Sequence, residues 1–480
     1  MNTIPLAMLT PLLAAPLVML TGKRPNVREA VSILAGIILL VLVSPLTNAV
    51  LDGARPSFEL WDIMPGIPLK MIIDPLGILF VNLAAFLWII TIIYAIGYMR
   101  GHNEANQTRF YAFFAVSIFM VIGLAFSGNL MTLFIFYEGL TLSTFPLVTH
   151  AGNKQAKKGG RVYLGLLMLT SMLFFLLAII ATYVLSGTVE FTAGGILAGK
   201  ASPMTLSILL ALYVFGVGKA GIMPFHRWLP AAMVAPTPVS ALLHAVAVVK
   251  AGVFTILKVV VYIFGLDLVS SLPAADLLLY IAAFTTLAGS FIAMRQDNLK
   301  RRLAYSTISQ LSYIIIGALL ANRYGIIGGG MHMVMHAFGK ITLFFGAGAI
   351  LVASHKTQVS QLKGIGRAMP ITMIAFLIGS LSVIGLPPLG GTWSKWFLLL
   401  GVLEADKLIL LGVLLLSSIL NIAYLLPISF QAFFSDPNYV VRHGEAPIAC
   451  RMAMTVTALA CVILFAFPGP LEDLLLTLFG

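Results

Sequence analysis

Fourteen stretches of predominantly apolar residues follow one another along 480 residues. Each is about the twenty residues that a helix needs to cross a bilayer. They lie at about 3–21, 29–50, 72–98, 109–127, 129–149, 162–187, 205–230, 238–265, 273–294, 303–321, 325–353, 368–402, 408–434 and 448–471. No polar run between them is long enough for a soluble domain. Charged residues make up only 10% of the chain, against about 25% in soluble proteins, too few to solvate a folded surface. The expected fold is an all-α integral membrane protein, a single polytopic domain over residues 1–480. The segment 51–71 is rich in turn formers and reads as an outer-surface loop. The apolar amino terminus has no preceding basic residues, as a signal peptide would, so it reads as the first membrane helix.

The net charge of +12 would suggest nucleic acid in a soluble chain, but its distribution argues for topology. Nineteen of the 29 Lys and Arg residues fall in odd-numbered connections and five in even-numbered ones. Arg28, Arg100, Lys157, Arg301, Lys363 and Arg442 stand among the nineteen. Because cytoplasmic loops carry the excess of positive charge, odd connections are expected inside and both termini outside, in a bacterial inner membrane. Nucleic acid is not an expected partner.

The other five cations, Lys219, Lys250, Lys258, Lys340 and Lys395, lie inside spans. A charge at the bilayer centre costs about 2.5–3.5 kcal/mol on insertion scales, and such residues usually mark ion or proton paths. Glu138 is the one acid read as deep in a span, whereas Asp74 stands at the start of one and can reach the interface. Lys219 and Lys250 are mid-span, with His244 six residues before Lys250. His332, His336 and Lys340, spaced by four, share one helix face, and histidine is suited to relaying protons near neutral pH. For Lys258 and Lys395, nearer span ends, snorkelling to the interface is a fair rival. Cys450 and Cys461 are too far apart along one helix to pair. With no Cys/His cluster for zinc, haem or iron–sulfur, no cofactor is expected.

Two spans carry helix breakers at membrane depth. Pro224 and Pro230 follow Lys219; Gly385, Pro387, Pro388, Gly390 and Gly391 precede Lys395. Such interruptions are tolerated where protein or water satisfies the freed backbone, and paired interruptions in two halves point to an ion site. The broken spans 7 and 12 are each fourth in a unit of five, helices 4–8 (about 109–265) and 9–13 (about 273–434). Since five is odd, the two units would be inverted repeats.

The stretches FIFYEGLTLSTFPLVTH, KAGIMPFHRWLPAAMVAPTPVSALLHAVAVVKAGVF, QDNLKRRLAYSTISQLSYI and HMVMHAFGKITLFF together resemble the antiporter-like subunits of respiratory complex I, membrane-bound hydrogenases and Mrp-type cation/proton antiporters. The resemblance implies that Glu138, Lys219, Lys250, His332, His336, Lys340 and Lys395 correspond to the family's proton-translocating positions. A lysine at position 395 and the chain length favour the Mrp D-type subunit of a multisubunit Na+/H+ antiporter. Rival readings are a proton-pumping subunit of complex I or a hydrogenase, a subunit of an inorganic carbon uptake complex, and a structural scaffold. Implied partners are other membrane subunits, the bilayer, protons and possibly Na+.

On this reading protons enter near broken span 7 from the cytoplasm. They pass through Lys219, Lys250 with His244 nearby, then His336, His332 and Lys340, and leave at Lys395. Glu138 is expected beside Lys219 as a switch partner, since a nearby carboxylate favours an ammonium and burial opposes it. Lys258 offers a second exit.

Overall fold

Short polar residues set where the helices begin. The side chains of Asp74, Asn129, Asn153, Asn298 and Asn322 each accept a hydrogen bond from the backbone N–H three residues on, at 2.7–3.0 Å. This satisfies donors that a helix start otherwise leaves unpaired. The computed structural model describes residues 3–436 and 444–479, so Arg442, one of the nineteen loop cations, lies outside the described residues.

Among the described residues the chain makes fourteen helical passes. They are α1 (Thr3–Leu20), α2 (Pro25–Leu51), α3 (Pro75–Gly101), α4 (Gln107–Ala125), α5 (Leu130–Val148), α6 (Lys154–Ser186), α7 (Pro203–Gly216, continued after a break by a turn at Trp228–Ala231) and α8 (Thr237–Phe264). Then come α9 (Pro273–Met294), α10 (Leu299–Leu319), α11 (Arg323–Ser354), α12 in two halves (Pro370–Ile384 and Gly391–Glu404), α13 (Leu408–Phe434) and α14 (Ile448–Ala466). A short α15 (Gly469–Leu476) follows. Among the described residues, eleven helices are long and apolar enough to cross a membrane unaided. This is an all-α integral membrane protein.

The segment expected to be a loop at 51–71 is instead mostly an antiparallel hairpin, β1 (Ser57–Met64) and β2 (Ile67–Ile72). Along β2, Ile67, Leu69 and Met71 are buried and alternate with more open positions, the period of a strand with one covered face. Lys70 holds the hairpin down through ion pairs to Glu59 and Glu190, each at 3.0 Å. The amide of Ile72 donates to the Phe126 carbonyl, and that of Gly128 to Lys70. The turn-forming composition of the segment masks this alternation. α6 also starts earlier than expected, at the Asn153 cap, because its first turn is basic and polar.

Burial runs outward from α8, α3 and α11. α8 is covered on almost every side, whereas α1, α2, α6 and α14 expose apolar flanks. A helix that is apolar all round belongs in the centre. α8 also passes directly against the break in α7. Gly252 makes that approach possible, for a Cβ there would run into the backbone of Lys219 and Ala220.

Candidate functional site

The break in α7 is built so that its freed backbone groups are satisfied. After Gly216 the chain makes a tight turn at Gly218–Ala220, and Gly221 takes a left-handed conformation at φ +73°. The Trp228 indole donates to the Gly218 carbonyl at 2.9 Å, and the Lys219 amide donates to the Tyr137 hydroxyl at 3.2 Å. The Lys219 ammonium donates to the Tyr137 carbonyl (2.9 Å) and the Thr141 hydroxyl (2.6 Å), and lies over the Tyr137 ring at 3.2 Å. The ring face adds cation–π attraction.

Glu138 makes no direct ion pair with this ammonium, although it stands near enough for the two charges to interact. Among the described residues no ion pair joins them within 4 Å, and neither carboxylate oxygen of Glu138 has a hydrogen-bond partner. The helix period explains the separation. Tyr137 and Thr141 share the stripe facing α7, whereas Glu138 shares its stripe with Ile135 and Leu142, which are exposed on the perimeter. Glu138 itself is buried.

In α8 the amide of Ala247 donates to the carbonyl of Leu242, five residues back. This opens a wide π-type turn that holds His244. Such turns inside α-helices are frequent at functional sites. His244 packs on the Phe344 ring at 4.5 Å, and among the described residues neither ring nitrogen has a hydrogen-bond partner, so it is near the chain of contacts without joining it. Lys250, one turn and a half farther on, meets Nδ1 of His336 on α11 at 2.8 Å. His336 stacks with His332 at 5.7 Å between ring centres. His332 in turn stacks on Tyr313 at 5.4 Å and contacts the Ser394 hydroxyl through Nδ1 at 2.9 Å.

Lys395 is the next residue after Ser394, in the second half of α12. Its ammonium donates to the Ile384 carbonyl at 2.8 Å and to the Ser418 hydroxyl at 3.0 Å, and lies over the Tyr313 ring at 4.8 Å. Ile384 ends the first half of α12, where Gly385 turns the chain at φ +87°. The lysine therefore caps a broken helix end, the position where positive charge is favoured. Lys340 turns aside to the Ser306 hydroxyl (2.6 Å) and the Leu303 carbonyl (3.3 Å), and Tyr424 donates to the same serine.

Snorkelling is overturned for both lysines near span ends. Lys395 is buried and held as just described. Lys258 is fully buried and donates to Asp74 Oδ2 at 2.7 Å and to the Ser127 carbonyl at 2.6 Å. Asp74 does not reach solvent either. It is buried, like Glu138 and Glu29, and already engaged through Oδ1 with the Gly77 amide.

Lys250, His336, His332 and Lys395 thus form a succession across the bundle, Lys219 stands at the α7 break against which α8 packs at Gly252, and Lys340 and His244 flank the succession. Each of Lys219, Lys258, Lys340 and Lys395 donates to a main-chain carbonyl. For Lys250 the hydrogen-bond contact is to His336, itself a titratable group. A polar cavity of about 600 Å³ opens at the side of the odd-numbered connections, lined by Pro230, Val234, Asp297, Asn298 and Arg301 among others. It lies just beyond the break in α7. The hydroxyls of Tyr137, Thr141, Ser306, Tyr313, Ser394 and Ser418 were not singled out in the sequence. A signal was present for one group: YSTISQLSY places five polar side chains inside an apolar run.

Residues 127–421 match the family described as NADH:quinone oxidoreductase/Mrp antiporter, TM. The chain belongs to this family. NADH-quinone oxidoreductase subunit N of Desulforudis audaxviator is 30% identical over 90% of this chain and 88% of its own length. Antiporter subunit mnhA2 of Staphylococcus epidermidis is 28% identical over 90% of this chain. The chain spans only 57% of that relative, and 50% of NAD(P)H-quinone oxidoreductase chain 5 of Picosynechococcus, which is 31% identical. Among solved structures, a chain of the Mrp complex from Dietzia superposes with a TM-score of 0.88 at 20% identity, covering 99% of this chain and 96% of its own. A chain of an archaeal membrane-bound sulfane sulfur reductase gives 0.87 at 22% identity, covering 99% and 97%. At these identities the structural likeness speaks to the fold. The protein is an antiporter-like, proton-translocating membrane subunit of the Mrp or complex I type.

Proposed function

We propose that this subunit moves protons for a multisubunit cation/proton antiporter, as the Mrp D-type subunit, through Lys219, Lys250, His336, His332 and Lys395. The contact between Lys250 and His336 carries the reading, because it joins α8 of the first half to α11 of the second through two groups that can each take or give a proton. Protons enter at the polar cavity beyond the α7 break, on the side given as cytoplasmic by loop charge, with both termini outside. They leave beyond Lys395, past the break in α12. Helices α4–α8 and α9–α13 act as inverted units around the two broken helices. Lys340 and His244 adjust the field along the path.

Glu138 acts as a switch by approaching or leaving Lys219. In the arrangement described it stands apart, toward the perimeter, where a neighbouring subunit's charges act on it. The lysine at position 395 supports the antiporter assignment, through the resemblance to the Mrp D-type. A second reading, a proton-pumping subunit of a complex I-type assembly, has its own support in the subunit N relative matched over 88% of its length. Purifying the chain with its native neighbours separates the two. Cation/proton antiporter subunits favour the first, and flavin and iron–sulfur subunits favour the second. Either way, Lys219→Ala and Glu138→Ala are expected to abolish proton-coupled transport in everted vesicles while the complex still assembles. Normal pH-gradient activity in Lys219→Ala refutes the path.

A further inference from the structure

Helices α10 and α11 are consecutive and antiparallel, and their contacts fix which residues lie level with one another. Lys340 reaches Ser306 and Leu303, and His332 stacks on Tyr313. His336, halfway between Lys340 and His332, is therefore level with residues 308–310 of α10. Ser306, Gln310 and Tyr313 follow one another at spacings of four and three, so they share the stripe that faces the histidines. Ser309 is turned the other way, toward Ser290 and Ser417. Gln310 is thus the polar side chain of α10 that faces His336, and helical side chains lean toward the helix start, which brings it closer to that level.

Gln310 is fully buried, and among the described residues neither its carbonyl oxygen nor its amide nitrogen has a hydrogen-bond partner. Nε2 of His336 and Nε2 of His332 are also buried and unpartnered. Desolvating an amide without a partner is costly. Sites with several such atoms are where proteins hold ordered water, with about three hydrogen bonds each.

We propose that Gln310 is a positioning residue that holds water between His336 and His332, closing the gap in the relay. This inference rests on the proton path proposed above. His336 accepts a proton at Nδ1 from the Lys250 ammonium and releases the one on Nε2 to the water. The water passes one of its own protons to Nε2 of His332. The imidazole of His336 is left as its other tautomer, which now presents an acceptor where it presented a donor. A glutamine amide suits this place because it offers both a donor and an acceptor. It can therefore hold the water before and after the transfer. A carboxylate would trap the proton, and an apolar side chain would leave the site dry.

The test uses the assembled complex in everted vesicles. Gln310→Met, similar in shape and without the amide, is expected to lower proton-coupled transport about tenfold, the scale of one hydrogen bond, and to raise its solvent deuterium effect. Gln310→Asn, which keeps the amide, is expected to stay within about threefold of the unaltered chain on the same scale. Gln310→Met at the unaltered rate, or Gln310→Asn as impaired as Gln310→Met, overturns the proposal. Should Gln310→Met not assemble, a map of the unaltered complex that resolves water decides. Water within reach of both Gln310 and His336 supports the proposal, and a direct Gln310 to His336 contact or a dry gap overturns it. Lys250→Met serves as the control. If that variant transports normally, the relay itself fails; if only the Gln310 variants do, the relay stands and the role of Gln310 falls.

Discussion

Removing one partner of the Asp74–Lys258 pair should cost far more than removing both. Lys258 is fully buried toward the carboxy-terminal end of α8, with Asp74 Oδ2 at 2.7 Å and the Ser127 carbonyl at 2.6 Å. Taking one member from a buried pair strands the other charge, at about 3–5 kcal/mol. Asp74→Asn is the cleaner of the two single changes, because asparagine caps a helix start as well as aspartate does and the bond to the Gly77 amide survives. The expected loss of about 3–5 kcal/mol then comes almost wholly from the stranded ammonium. Lys258→Met keeps the length of the side chain and leaves Asp74 with its cap alone. In the double variant no charge is stranded, and about 1–2 kcal/mol is expected for the lost hydrogen bonds. With a charge stranded in each single variant and none in the double, the coupling energy should therefore reach at least about 4 kcal/mol. Equilibrium unfolding in mixed micelles, run as a double-mutant cycle, measures it. A coupling below about 0.5 kcal/mol, no more than independent sites show, would refute the picture of a dry, mutually dependent pair.

Gly252→Ala should destabilise by about 1–3 kcal/mol, the usual cost of overpacking, because the added methyl meets the α7 break; unchanged thermal stability and transport would contradict that close approach. Trp228→Phe removes the donor to the Gly218 carbonyl and should cost about 1–3 kcal/mol, read as lower stability with Lys219 still required for transport. At the hairpin, burial works against the Lys70 charge, but Glu190 and Glu59 more than offset it and hold its pKa above the ordinary lysine value. A raised lysine pKa stabilises fully below the unfolded value, and the gain fades as pH rises through the folded one. Hydrogen exchange of 57–72 should thus be insensitive to pH-linked loosening through neutrality and increase only in strongly alkaline solution. Loosening near pH 7 would disprove the anchor.

The number of passes, the two breaks and the succession of titratable groups were legible because lipid makes them conspicuous. A lysine such as Lys219 or Lys250 amid some twenty apolar neighbours has no trivial explanation. The four-residue spacing of His332, His336 and Lys340 by itself places them on one helix face. What could not be read were relations across the fold. Asp74 and Lys258 are far apart in the chain, and each stands near a span end, so each alone looks like an interfacial residue. The separation of Glu138 from Lys219 depends on which stripe of α5 faces α7, and an almost uniformly apolar helix gives no periodic signal to decide it. Hydroxyls such as Thr141 and Ser394 are common in membrane helices, where they usually bond to their own backbone. Their roles as lysine and histidine partners emerge only from packing.

The wide turn of α8 between Leu242 and Ala247 spends one residue more than a regular turn would. Deleting a single residue there would let the helix close up regularly with little local penalty. Everything on its amino-terminal side would then be rotated by about 100° relative to Lys250. His244 would swing off Phe344, and the segment that follows the α7 break would dock on the wrong neighbours. The surplus residue therefore works as a phase setting between two lengths of one helix, and the chain's tolerance of insertions and deletions should be lowest in a place where composition alone suggests nothing but membrane filler.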